Sequence, residues 1–149
     1  MTSEDDVFLQ IKKWTMEEKV FKVHLPRQVG ISWAIELAYP FNHPTPMPIV
    51  ILNQTGTDSI SLQISMKMGK ECFLLKAKSP AALKNFYFSL QTIFLDRDVA
   101  YNTNMDNNTW IIVDTIFFDG LTKNELFKAI RHVHDSACMS NLLLAKAIQ

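Results

Sequence analysis

The residues best able to do chemistry in this chain are its four histidines, its two cysteines and one run of asparagine and aspartate. His132 and His134 come nearest to a metal motif. Two residues apart on a helix they point about 200° away from each other, so they cannot grip one ion. His24 and His43 have no carboxylate or cysteine close in sequence and read as a strand-surface and a loop histidine. Asn102, Asn104, Asp106 and Asn108 alternate oxygen-bearing side chains, but the glycine and closing glutamate of a helix-flanked calcium loop are missing, so the run reads as a hairpin turn. Cys72 and Cys138 are far apart, without the short repeat spacing of zinc or redox motifs, and read as reduced, buried thiols. Neither has the neighbours of an activated nucleophile, and four scattered glycines leave no phosphate-cradling loop. The expectation is a protein that is not an enzyme, with no catalytic residue, no metal site and no cofactor.

Composition narrows the partners. Lysine plus arginine number 15, as do aspartate plus glutamate, so the long-range field that drives binding to phosphate backbones is absent and nucleic acid is not expected. Glu4, Asp5, Asp6, Glu17 and Glu18 make the start acidic, and Lys67, Lys70, Lys76, Lys78 and Lys84 make a later basic stretch; both read as solvated surface. Met1 to Asp6 lack the basic and apolar parts of an export signal, and the apolar runs are short or interrupted, as by Asp114, so a cytoplasmic chain without a membrane span is expected. At 149 residues with 48% apolar content, a single domain over 1–149 with one core is expected.

The elements that would carry these residues follow from periodicity. Ser3 caps an opening helix to about Glu18, with Val7, Ile11, Trp14 and Phe8 on its inner side. The period then becomes two: Phe21, Val23 and Leu25, followed by Ile31, Trp33, Ile35, Leu37 and Tyr39, predict two half-buried strands. Pro40, Pro44, Pro46 and Pro48 oppose ladder pairing and predict a stiff loop. Ile49 to Leu52 suits a central strand, and the turn Thr55 to Asp58 leads into Ile60, Leu62, Ile64 and Met66. Cys72 to Leu75 is a short strand or a short helix on periodicity alone. Ser79 and Pro80 open a helix to about Asp96 with a core stripe of Leu83, Phe86, Tyr87, Leu90 and Phe94.

Val99 and Tyr101 begin a second hairpin whose return strand is Trp110 to Phe118. Thr122 and Glu125 form a capping box, with Leu121 placed to staple onto Leu126, for a last helix carrying Leu126, Ile130, Val133, Ala137, Leu144 and Ile148. Continuous from Lys123, it would be roughly 39 Å long, more than a small domain needs, so the excess is expected to bend, to break near Ser140 and Asn141, or to pack against a second subunit. Binary patterning fails in two further places. Phe88 and Leu95 sit roughly 120° to 140° from Leu83, off the core stripe, and the strand from Trp110 is apolar on both faces. Phe88, Leu95, Trp110, Ile112, Phe118 and Leu144 are therefore the candidate partner interface, and a homodimer is expected.

The order of elements, with Phe117, Phe118, Asp119, Gly120, Leu121, Thr122 and Lys123 and then Ile130 and Val133, resembles an uncharacterised archaeal family. That family is similar to the type III secretion chaperone-like fold, also seen in YbjN-type proteins. The resemblance implies an α+β fold, an antiparallel meandering sheet of five to six strands with helices mainly on one face, in the order α-β-β-β-β-α-β-β-α. It also implies a short helix at Glu71 to Lys76, dimerisation and protein binding, and no catalytic residues. The functional expectation is a chaperone-like or protein-binding module with an unknown protein partner; the alternative is a small-molecule-binding regulatory domain.

Overall fold

A computed structural model describes residues 3–18, 21–25, 29–40 and 43–149, with the side chains of 21–25 outside that description. The elements are α1 (Glu4–Glu17), β1 (Phe21–Leu25), β2 (Ile31–Tyr39), β3 (Met47–Gln54), β4 (Ser59–Lys67), α2 (Glu71–Lys78), α3 (Ala82–Asp96), β5 (Ala100–Asn104), β6 (Thr109–Phe117) and α4 (Lys123–Ala147). The class is α+β. Six strands lie in one sheet in the order β1-β2-β3-β4-β6-β5. The hairpin partners β1–β2, β2–β3, β3–β4 and β5–β6 are antiparallel. The chain divides into two compact units, Met1–Ile64 with Asp114–His134 and Ser65–Val113 with Asp135–Gln149.

In the first unit, Ser3 caps α1, its Oγ accepting from the Asp6 N–H at 3.1 Å. Glu4, Asp5 and Asp6 in the first turn favour the same end, where backbone N–H groups point outward. Val7, Ile11 and Thr15 are buried, whereas Trp14, expected on the inner side, is half-exposed. Thr15 takes the buried slot because its hydroxyl donates to the Ile11 carbonyl at 2.9 Å, so burial orphans no polar group. The Trp33 indole donates to the Glu4 carbonyl at 3.2 Å and its ring tilts against Phe8, which fastens β2 to α1.

Strands β2, β3 and β4 bury Ile35 and Leu37, Ile49 and Ile51, and Ile60, Leu62 and Ile64. The proline-rich stretch yields a correction: β3 begins at Met47, so the ladder includes Pro48 opposite Ala38. Near the start of a strand a proline removes one donor without interrupting the pairing that follows. The β3–β4 turn needs the left-handed backbone of Gly56, with φ of 84°, and buried Asn53 donates to the Thr57 and Ser59 carbonyls at 3.1 and 2.9 Å to hold it.

In the second unit, α2 buries only Cys72 and Leu75 and leaves Phe73 and Leu74 exposed. Helix α3 begins at Ala82, two residues later than Ser79 and Pro80 predict, and has no side-chain cap. Ser79 is instead the extended end of α2, and the Ala82 N–H bonds its carbonyl in a four-residue turn before α-helical bonding starts. Phe86, Tyr87, Leu90 and Phe94 are buried, and Leu83 only half so.

The end of α3 is a Schellman motif. Asp98 is left-handed with φ of 57°, its N–H bonds the Leu95 carbonyl, and the N–H of buried Val99 bonds the Phe94 carbonyl. The β5–β6 hairpin turns through Asn108, also left-handed, and the Asn104 side chain accepts from the Asn107 N–H. Trp110 meets Phe86 edge-on at 5.7 Å, and its indole donates to Ser140 at 3.3 Å.

Thr122 accepts from the Glu125 N–H at 3.1 Å and opens α4, which runs unbroken for 25 residues. Ser140, an expected break point, stays helical because its hydroxyl donates to the Ala137 carbonyl one turn back at 2.7 Å. Leu126, Ile130, Val133, Ala137 and Leu144 are buried, while Ile148 lies past the helix end.

Candidate protein interface

Helix α3 packs one face inward and leaves the other apolar. Phe86, Tyr87, Leu90 and Phe94 are the inward set, and a helical turn of 3.6 residues then forces Phe88 and Leu95 outward. They are 72% and 69% exposed. Lys84, Phe88, Gln91 and Leu95 follow one another at spacings of four, three and four, which lines them along a single seam, and Asp98 follows just past the end of the helix. Gln91 is half-buried and donates to the Thr103 hydroxyl at 3.3 Å; Lys84 and Asp98 are exposed. Neither of those two charges forms an ion pair among the described residues. Helix α2 packs on α3 and adds exposed Phe73 and Leu74. Large apolar side chains left exposed on a helix are the kind of feature that points to an interface.

The remaining expected interface residues divide. Trp110, Ile112 and Leu144 are 1%, 0% and 8% exposed and serve the core, so they leave the candidate surface. The row Trp110 and Ile112 was one face of a doubly apolar strand, and it is the inward one. In the other row, Ile111 and Val113 are half-buried and Phe117 is exposed. Phe118 is half-buried in a single 3-10 turn, its N–H donating to the Asp58 carbonyl at 2.8 Å. Sequence reasoning missed Asp98; its place three residues after Leu95 and two heptads after Lys84 was the signal that could have found it.

The titratable groups do other work. His132 pairs with Asp114 at 3.5 Å, whereas His134 meets the edge of Tyr39 at 5.0 Å, so their side chains take different partners, as residues two apart on a helix must. His43 accepts from the Thr45 N–H through Nδ1, a loop-shaping bond, and the side chain of His24 lies outside the described residues. Lys123 pairs with Glu18 at 2.8 Å and Glu17 at 3.1 Å, and these hydrogen bonds hold its ammonium pKa above the usual value.

Cys72 and Cys138 are free; Cys72 is buried and Cys138, expected to be buried, is half-exposed. Partial burial, and secondarily Asp135, push the Cys138 thiol up, away from the thiolate a nucleophile needs. Burial, with a smaller effect from Cys72, lifts Tyr87 to about 12. Among the described residues no three histidine, cysteine or carboxylate groups converge on a metal position. A groove of about 340 Å³ between Leu75, Ser79, Asn85, Phe86, Ser89 and Leu143 is at the small end for a ligand site and no buried polar side chain lines it.

Comparison with known proteins places this arrangement. A crystal structure of an uncharacterised protein from Methanothermobacter thermautotrophicus superposes with a TM-score of 0.83 at 22% identity, over 95% of this chain and 98% of that one. A chain from the crystal structure of the ExsC–ExsE complex superposes with a TM-score of 0.58 at 11% identity, over 96% and 97%. At such identities the likeness is one of fold, the α+β fold expected from the element order. No curated protein matches the sequence. No helix among the described residues is long and apolar enough to cross a membrane. Residues 9–144 match the family described as "Uncharacterized conserved protein (DUF2299)", and the chain belongs to that family.

Proposed function

We propose that this protein is a non-catalytic, chaperone-like protein-binding module that works as a homodimer. The observation that carries the reading is the outward seam of α3, where Phe88 and Leu95 stand in solvent one heptad apart. Burying two such side chains removes apolar area worth about 25 cal/mol per Å² from water, and a two-fold contact counts each residue twice. The fold likeness to a chain of a two-protein complex supports the same direction by analogy. The shifts at Cys138 and Tyr87 both favour the uncharged, unreactive form, which suits a binding role.

Light scattering coupled to size exclusion tests this at micromolar concentration. The expected mass is twice the 17.1 kDa of one chain, falling to one chain for Phe88→Asp with Leu95→Asp. A parent of monomeric mass overturns the homodimer, and a dimer indifferent to both aspartates moves its interface off α3.

A further inference from the structure

We infer that two copies pair through α3 in an antiparallel, two-fold arrangement in which Lys84 of each meets Asp98 of the other. This rests on the homodimeric reading above and adds its register. The seam has the cation Lys84 at its start, Phe88 and Leu95 with Gln91 between them, and the anion Asp98 just past its end, and both charges lack an ion partner within the chain's described residues. Setting Phe88 against the Leu95 of a second copy, with the helices running oppositely, brings Lys84 to within about one residue rise, ~1.5 Å along the axis, of the level of Asp98.

Lys84, Phe88, Gln91 and Leu95 lie on one side of the helix and Asp98 directly follows its end, so the two charges flank the stretch that the second copy would cover. A parallel pairing would instead set lysine against lysine and aspartate against aspartate, which like-charge repulsion disfavours. The left-handed backbone at Asp98 ends the helix there, so the anion sits where the seam stops rather than being carried round the helix. A two-fold contact is self-complementary, and this surface complements its own reverse.

The experiment exploits that symmetry. Lys84→Glu and Asp98→Lys are each prepared in the full chain, their folding checked by circular dichroism, and their masses measured by light scattering at a concentration where the parent is dimeric. Each alone places two like-charged pairs in the interface and is expected to weaken dimerisation by tenfold or more. Mixed in equal amounts they form a heterodimer with both pairs restored, and the dimeric mass should return.

Because a lysine at a φ of 57° is strained, Asp98→Asn is the second variant; it keeps a residue tolerant of that backbone and should also weaken the dimer. Single variants that dimerise like the parent overturn the register while leaving the homodimer standing. Weakened variants that stay monomeric when mixed overturn the antiparallel pairing. A monomeric parent overturns both readings.

Discussion

The start of α4 and the outer seam of α3 are both exposed and charged, yet they are finished in different ways. At the start of α4, Lys123 is met by Glu17 and Glu18 from α1, and the Thr122 hydroxyl satisfies a backbone N–H. On the seam, Lys84 and Asp98 have no ion partner among the described residues, and Phe88 and Leu95 face water. The first surface is complete within one chain. Under the pairing proposed above, the second would be completed by a copy of itself laid across it.

The difference can be sharpened by comparing the two faces of α3. Leu90→Ala on the inner face leaves a cavity at a fully buried site and should cost about 2 to 5 kcal/mol of folding stability. Denaturant unfolding measures it, and a variant as stable as the parent would remove α3 from the core. Replacing the outer residues should instead change mass and leave the fold intact.

A smaller effect is expected at the start of α4. Thr122→Ala deletes the acceptor for the Glu125 N–H and should destabilise by about 0.5 to 2 kcal/mol. The dimeric mass should be unchanged. Thermal unfolding beside light scattering separates the two, and loss of the dimer in this variant would show that the two surfaces are coupled.

Much of this was legible in the residues. Alternation through Ile60, Leu62 and Ile64 marks a strand because one face of the sheet is buried, and Thr122 with Glu125 marks a helix start because the bond they form is local. What failed turned on which groups satisfy or cover a residue, which periodicity does not state. Thr15 is buried where Trp14 was expected, since a threonine hydroxyl can bond back to its own helix. Ser79 and Pro80 carry the composition of a helix start, but Ser79 already ends α2. Trp110, Ile112 and Leu144 stand out as candidate interface in the sequence because periodicity shows that a strand has two apolar rows or that a helix is long, without showing which residues the rest of the chain covers. Phe88 and Leu95 were legible as surface, since helical geometry alone puts them opposite Leu90. Asp98 was not, because it lies past the end of α3, where helical spacing does not apply.

Cross-linking through cysteines placed on α3 tests the paired seam most directly. In the pairing described, the two-fold axis passes between Gln91 and Thr92, so exposed Thr92 of one copy comes beside Thr92 of the other. Lys84 residues of the two copies stand roughly 22 Å apart along the axis, beyond the ~7 Å that a disulfide spans. With Cys72→Ala and Cys138→Ser removing the native thiols, mild oxidation of Thr92→Cys should give a disulfide-linked dimer on a non-reducing gel, and Lys84→Cys should give none. Cross-linking at position 84 and not at 92 would contradict the antiparallel seam.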